Sequence, residues 1–190
     1  MKITVTGSLG NISRTLTAKL VANGHEVKVI SSNAERVREI ENLQAIPLIG
    51  SLENMEFVSE SFKDADAVYT MVPPDSSVSD YYKFADKIHQ NYGKAIEGNN
   101  IKYAVNLSSI GVAFAGIEPL TRYYNLEKCL NEIPGLNVVH LRPAMFYTNF
   151  YGSLEMVKHQ GIMGHNLNET IDLLMTHPTD IGDTAFTLLN

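Results

Sequence analysis

The sequence predicts an α/β fold: a doubly wound parallel sheet followed by a small C-terminal lobe that reads as truncated. Three observations predict it. Short β-prone runs alternate with amphipathic segments from residue 2 to residue 143. A glycine turn, Gly7-Ser8-Leu9-Gly10, joins the first run to the first amphipathic segment. Beyond Arg142-Pro143 the alternation gives way to a different pattern.

The first strand is Ile3-Thr4-Val5-Thr6, and Ile12, Leu16 and Leu20 then recur at helical spacing. Gly24 stands where a helix-ending residue belongs. Strand, glycine turn and helix are the opening of a unit that holds a dinucleotide pyrophosphate at the helix N-terminus. Glycines let backbone N–H groups approach the phosphates, and the helix dipole adds partial positive charge. Gly7, Leu9, Gly10, Asn11 and Ile12 are therefore candidate cofactor-binding residues. The spacing is G-x-x-G, and the third small position is Ser13.

The second strand spans residues 26–30, ending in Ser31-Ser32-Asn33, and the next helix turns Val37 and Ile40 inward. An acid at this strand end would take the 2′-hydroxyl of NAD. None occurs between Val27 and Ala34; Ser31, Ser32 and Arg36 are there instead, with Arg14 on the first helix. Hydroxyls and guanidinium groups suit a 2′-phosphate, so the expected cofactor is NADP(H) rather than NAD(H). Arg36 also reads as a solvated helix position beside Glu35 and Glu39.

The third strand covers 45–49, and Met55, Val58 and Phe62 mark the following helix. The fourth covers 66–72 and is stopped by Pro73-Pro74. Carboxyl ends of strands line the crevice in such sheets, so Met71, Val72 and Pro73 are expected to wall the adenosine half, with an ordinary strand end as the competing reading. A long helix over 78–96 carries Tyr81, Ala85, Ile88, Tyr92 and Ile96 inward. Strand five is 102–108, followed by a glycine- and alanine-rich loop at 112–119, a helix at 120–133 and strand six at 137–141. The lobe then opens with a helix over 146–159, with Phe150, Leu154 and Val157 inward. Gly161 to Gly164 reads as a turn and 171–175 as a short apolar run. A last helix begins near Asp180 with Thr179 as its N-cap, and the chain stops at Asn190 inside an apolar pattern, which suggests truncation. The expected division is 1–145 for the nucleotide-binding domain and 146–190 for a partial substrate lobe.

Composition narrows the function classes. The chain has 190 residues, 44% hydrophobic and 19% charged, with a net charge of −6. That balance leaves no electrostatic footprint for nucleic acid, and scattered Lys and Arg argue against a membrane surface. No apolar run is long enough to span a bilayer. Cys129 is the sole cysteine, and a first strand beginning at Lys2 gives the expectation of no signal peptide. The expectation is a cytoplasmic protein with a small-molecule substrate and an oligomeric state that composition does not fix. The sequence holds no G-x-S-x-G elbow, no H-E-x-x-H and no P-loop lysine, which argues against serine hydrolysis, zinc chemistry and NTP hydrolysis; no metal site is expected.

These motifs together resemble the NmrA-like, NAD(P)H-binding group of atypical short-chain dehydrogenases/reductases. The resemblance rests on TGSLGNIS at 6–13, DAVYTMVPP at 66–74, NLSSIG at 106–111, YYNLEKCL at 123–130, LRPAMFYTNF at 141–150 and HPTDIG at 177–182. It implies a Rossmann domain with a C-terminal substrate lobe, NAD(P)H as cofactor, and either oxidoreduction of a quinone or small carbonyl compound or non-catalytic redox sensing. Pro143 to Phe146 would then flank the nicotinamide. Ser13 and Ser51 depart from the family pattern, at the pyrophosphate turn and the adenine contact. The wider superfamily pairs a serine with Tyr-x-x-x-Lys, because residues four apart share a helix face and the ammonium lowers the phenol pKa. Tyr124, Lys128 and Ser109 are the catalytic candidates on that pattern, with Ser108 an alternative to Ser109; the group often lacks the triad, with a glutamate matching Glu127. The competing reading packs Tyr124 and leaves Lys128 solvated.

Overall fold

The computed structural model describes residues 1–75, 77–114, 121–164, 170 and 172–190. Six strands form one parallel sheet: β1 (Lys2–Val5), β2 (Glu26–Ser31), β3 (Ile46–Ile49), β4 (Ala67–Thr70), β5 (Tyr103–Leu107) and β6 (Asn137–Leu141), in the order β3-β2-β1-β4-β5-β6. That reversal of direction beside β1 is the doubly wound Rossmann topology, and it places a crevice at the strands' carboxyl ends. Register is set by β1, whose Ile3 pairs with Val27 on one side and Ala67 on the other.

The four inner strands β2, β1, β4 and β5 are buried on both faces, alternating their residues between two apolar layers, whereas the edge strands β3 and β6 have no fully buried residue. Ile3 and Val5 of β1 and Tyr69 of β4 join a core with α1 (Ser13–Ala22) and α7 (Pro178–Leu189). Leu16 and Leu20 supply the buried stripe of α1, each contributing about 1.5–3 kcal/mol. Ile181, Ala185 and Leu189 bring α7 into the same core. Ile40 of α2 (Val37–Asn42) closes it beside β2. The opposite layer contains α3 (Met55–Phe62), α4 (Tyr81–Gly98) and α5 (Thr121–Asn131). There Phe62 and Tyr92 stack with ring centroids 5.9 Å apart, and Thr4 of β1 donates to the Ser61 carbonyl at 3.1 Å.

Several sequence expectations shift. Strand β4 ends at Thr70, so Met71 to Pro73 lie beyond the ladder. The helix expected at 146–159 is three pieces: β7 (Met145–Phe146), a 3-10 segment (Tyr147–Ser153) and α6 (Leu154–Gln160). Leu154 and Val157, expected inward, are 56% and 44% exposed. Periodicity marks which helix face is apolar but not whether anything packs on it. The N-cap of α7 is His177, whose Nδ1 accepts the Thr179 N–H at 3.2 Å, with Pro178 at the first helical position. Strand β8 (Met175–Thr176) pairs parallel with β7. Most of the loop at 112–119 and the start of the apolar run at 171 lie outside the described residues. No helix among the described residues is long and apolar enough to cross a membrane.

Candidate cofactor site

A cavity of about 570 Å³ runs along the carboxyl ends of five adjacent strands. Gly7, Gly10, Asn11, Ile12 and Ser13 line it after β1, with Ser31 at the end of β2 and Ser32 just beyond it. Gly50 and Ser51 follow β3, Met71 and Pro73 follow β4, and Leu107 closes β5. Phe146, from the stretch expected to flank a nicotinamide, completes the far wall.

The turn is built for close approach. Gly7 has φ +86°, in the left-handed region. A Cβ there would lie 3.0 Å from Met71 Cγ and Sδ and 3.0 Å from Ser13 Oγ; one at Gly10 would lie 3.2 Å from the Gly7 carbonyl oxygen. Side chains at these two positions would press on the turn's own neighbours, so the tight turn that borders the cavity depends on both glycines. Ser8 N–H donates to the Ile30 carbonyl at 3.0 Å and Gly10 N–H to the Gly7 carbonyl at 3.2 Å. Ser13, the departure from three glycines, is buried and donates its hydroxyl to the Thr6 carbonyl at 2.9 Å. The hydroxyl thus ties the helix start to the end of β1. Ile12 at the N-cap gives α1 no side-chain hydrogen bond. Of the first-turn N–H groups, that of Arg14 is taken by the Gly10 carbonyl at 3.1 Å; an anion is the ordinary partner for such groups left over at a helix N-terminus. The cradle fits a dinucleotide pyrophosphate.

Not every expected residue lines the cavity. Leu9 is buried in the core beneath the turn, and Val72 packs against the α3–α4 layer. Arg36 stands outside, where its Nη1 donates to Glu39 Oε2 at 2.7 Å while Arg14 Nη2 donates to the same oxygen at 2.6 Å. Hydrogen bonds from Arg14 and then Arg36 hold the Glu39 carboxyl below the usual carboxylate range. Ser31 accepts from Ser8 Oγ at 3.0 Å and donates to the Asn33 carbonyl at 3.2 Å, so its hydroxyl is engaged. At the β3 end, Ser51 Oγ accepts the Glu53 N–H at 3.1 Å, and Glu53 also lines the cavity.

The catalytic candidates are placed elsewhere. Tyr124 and Lys128 line a separate hollow of about 410 Å³ with Glu127 and Arg142. Tyr124 is 44% exposed, and Lys128 Nζ lies 4.0 Å from Glu132. Ser109 is not among the residues lining either space; its Oγ accepts the Gly111 N–H at 3.1 Å. The structure thus brings Tyr124 and Lys128 together but joins neither to the cofactor cavity nor to Ser109. Leu126 and Leu130 fix the buried face of α5. Tyr124 and Lys128, each two positions earlier, lie about 200° round the helix from it.

Glu127, 3% exposed, is the residue of α5 that reaches the strand ends. Its Oε1 accepts from Ser108 Oγ at 2.5 Å and from Arg142 Nε at 2.9 Å, and its Oε2 accepts from Arg142 Nη2 at 2.5 Å. Burial raises the Glu127 pKa, but the Arg142 and Ser108 hydrogen bonds outweigh it and hold the carboxyl below its ordinary value. This network pins the ends of β5 and β6 to α5. The sequence signal for it was an acid four residues after Tyr123 together with an arginine at the end of β6. No group of three metal-ligating side chains occurs among the described residues.

Comparison with known proteins agrees with this geometry. A sequence model of the family described as NAD(P)H-binding matches residues 7–164. A ketoreductase of Stigmatella aurantiaca, acting on 4-hydroxy-2-methyl-3-oxo-4-farnesyl-3,4-dihydroquinoline-1-oxide, is 32% identical over 69 residues, which are 36% of this chain and 21% of the relative. An NADPH-dependent quinone oxidoreductase of Escherichia coli, solved with NADPH, superposes with a TM-score of 0.79 at 14% identity, over 97% of this chain and 63% of that one. A triphenylmethane reductase of Citrobacter sp., solved with NADP(H), gives 0.81 at 16% identity, over 100% of this chain and 65% of that one. This chain therefore spans less than two thirds of the length of each of these proteins. On the family match across most of its length, and on a six-stranded doubly wound sheet with the glycine turn at its switch point, this chain belongs to the NAD(P)H-binding family of Rossmann proteins.

Proposed function

We propose that this chain is an NmrA-like, NADP(H)-dependent oxidoreductase acting on a quinone or other small carbonyl compound. The observation that carries the reading is the Gly7–Gly10 turn at the switch point of the sheet, which lines the cavity running along the strand ends. Bound NADPH would supply the hydride. The chain's own residues bind and orient it. The turn and the start of α1 hold the pyrophosphate, and Ser32 with Arg14 and Arg36 takes the 2′-phosphate end. Met71, Leu107 and Phe146 shield the far half from water. The reductase names of the structural neighbours and of the ketoreductase relative support the reaction class. Residues 146–190 contribute to the substrate side, and the lone Cys129, a free thiol, suits the cytoplasm.

A second reading, a non-catalytic NAD(P)H-binding sensor, is favoured by one observation. On the inward face of α5 the chain carries Glu127 paired with Arg142, and Tyr124 and Lys128 lie away from the cavity. NADPH oxidation followed by absorbance with a panel of quinones and dyes separates the two. Turnover supports the enzyme, saturable binding with no acceptor supports the sensor, and no binding refutes both.

A further inference from the structure

Helix α6 (Leu154–Gln160) and the 3-10 segment before it (Tyr147–Ser153) contain no buried residue. Helices below roughly 12–15 residues are marginal in water and depend on a packed face. Such a face exists here, and within the chain it stays exposed. Tyr147, Tyr151, Leu154, Val157, Ile162 and Met163 are each between 44% and 68% exposed. Seven of the seventeen exposed large apolar side chains among the described residues fall within 147–163, so they form a patch and not a scatter. The turn after α6 folds back beside it, since a Cβ on Gly164 would lie 3.6 Å from Met156 Sδ. Phe146 and Asn149, from the same stretch, line the cofactor cavity, so the patch begins where the far wall of the cavity ends.

We propose that this patch is the interface of a symmetric dimer, occupied by a second copy of the chain, with α6 packed antiparallel on α6 of the other copy. Two observations select a second copy. The first is area: the seven exposed side chains offer roughly 700 Å², close to the ~800 Å² that each partner gives a standard-size interface. The second is charge. Helix α6 carries Glu155 in its first turn and Lys158 and His159 in its last. Two antiparallel copies therefore set the acidic end of each against the basic end of the other. At about 100° per residue, Lys158 and Glu155 lie about 40° and 100° round the helix from Leu154, on the flank away from Val157. About a twofold axis between Met156 and Val157, Glu155 of each copy then stands opposite Lys158 of the other. Within one copy Glu155 Oε2 lies 3.0 Å from His159 Nε2, an exposed pair that leaves Lys158 free for this contact. A patch of one charge sign would repel its own copy. The inference stands on this surface alone and does not depend on the cofactor reading.

Sedimentation velocity of the protein over a wide concentration range tests it. The wild type is expected to be a dimer that dissociates on dilution. Leu154→Lys is expected to be monomeric over the same range, with its circular dichroism spectrum retained because the replaced side chain is exposed. Glu155→Lys and Lys158→Glu test the pairing. Symmetry repeats each change twice, so each variant alone is expected to dimerise about tenfold more weakly or worse. Mixing the two is expected to restore association, because a mixed dimer again sets opposite charges at both contacts. A wild type that is monomeric throughout overturns the inference and leaves the patch to a different occupant. A dimer that survives Leu154→Lys places the interface elsewhere and overturns it as well. A mixture of the two charge variants that associates no better than either alone overturns the antiparallel pairing.

Discussion

Replacing Gly7 with alanine tests the cradle directly, and the structure gives the magnitude. At φ +86° an L-residue is strained, by about 1–2 kcal/mol. The new Cβ would also sit 3.0 Å from Ser13 Oγ, which is held by its bond to the Thr6 carbonyl, and 3.0 Å from Met71 Sδ. Displacing that hydroxyl adds about 1 kcal/mol, for a total of roughly 2–3 kcal/mol, or about 4–12 °C in melting temperature for a chain of this size. Gly24 supplies the control. It has φ +82°, but a Cβ added there would meet nothing within 4 Å, so Gly24→Ala carries the backbone strain alone. Urea unfolding of both variants, with and without NADPH, separates the terms. Gly7→Ala should be the less stable by about 1 kcal/mol and should lose most of its NADPH stabilisation, whereas Gly24→Ala should keep its own. Equal stability losses with equal NADPH protection would refute the reasoning that the turn is shaped by close approach to a ligand.

The remaining expectations follow from particular contacts. Burial lowers the His89 pKa to about 4, outweighing Asp86 at 3.6 Å. The unfolded chain therefore binds more protons between about pH 4 and 6.5, and stability should fall as pH drops through that window, by up to about 3 kcal/mol. His140, also lowered by burial, adds a slope of the same sign. Unfolding free energies of the wild type and His89→Leu across this range check it, the variant showing the flatter profile. In the α4–α5 contact, a Cβ on Gly93 would lie 2.8 Å from Cys129 Sγ. Gly93→Ala should therefore destabilise by about 1–2 kcal/mol despite better helix propensity, and adding Cys129→Ala should recover most of the loss, as read by denaturation midpoints. Glu39 neutralises part of the Arg14–Arg36 charge. Glu39→Gln should raise NADPH affinity severalfold and leave NADH affinity unchanged in parallel titrations.

Much of this fold was legible because the determining signals are local. Ile3, Val5, Leu16 and Leu20 announce strand and helix by their spacing, and all are buried where that spacing puts them. The glycine turn marks the switch point because few other sequences satisfy its backbone. Contacts between distant segments were less visible. Leu154 and Val157 form an apolar stripe, but no local rule says what packs on it. Tyr-x-x-x-Lys fixes two positions and leaves open which way they face; only the phase of Leu126 and Leu130 on the same helix shows that Tyr124 and Lys128 point away from the cavity. The Glu127–Arg142–Ser108 network joins residues 15 and 19 positions apart and emerges only once β5, α5 and β6 are assembled. His177 was legible after all: a proline at the first helical position places the cap one residue earlier.

The most direct test of the central claim is a calorimetric titration of the protein with NADPH and, separately, NADH. The account expects saturable one-to-one binding of NADPH and weaker binding of NADH. Absence of saturable heat with both would mean that the cradle at Gly7–Ser13 holds no dinucleotide, which would contradict the functional reading built on it.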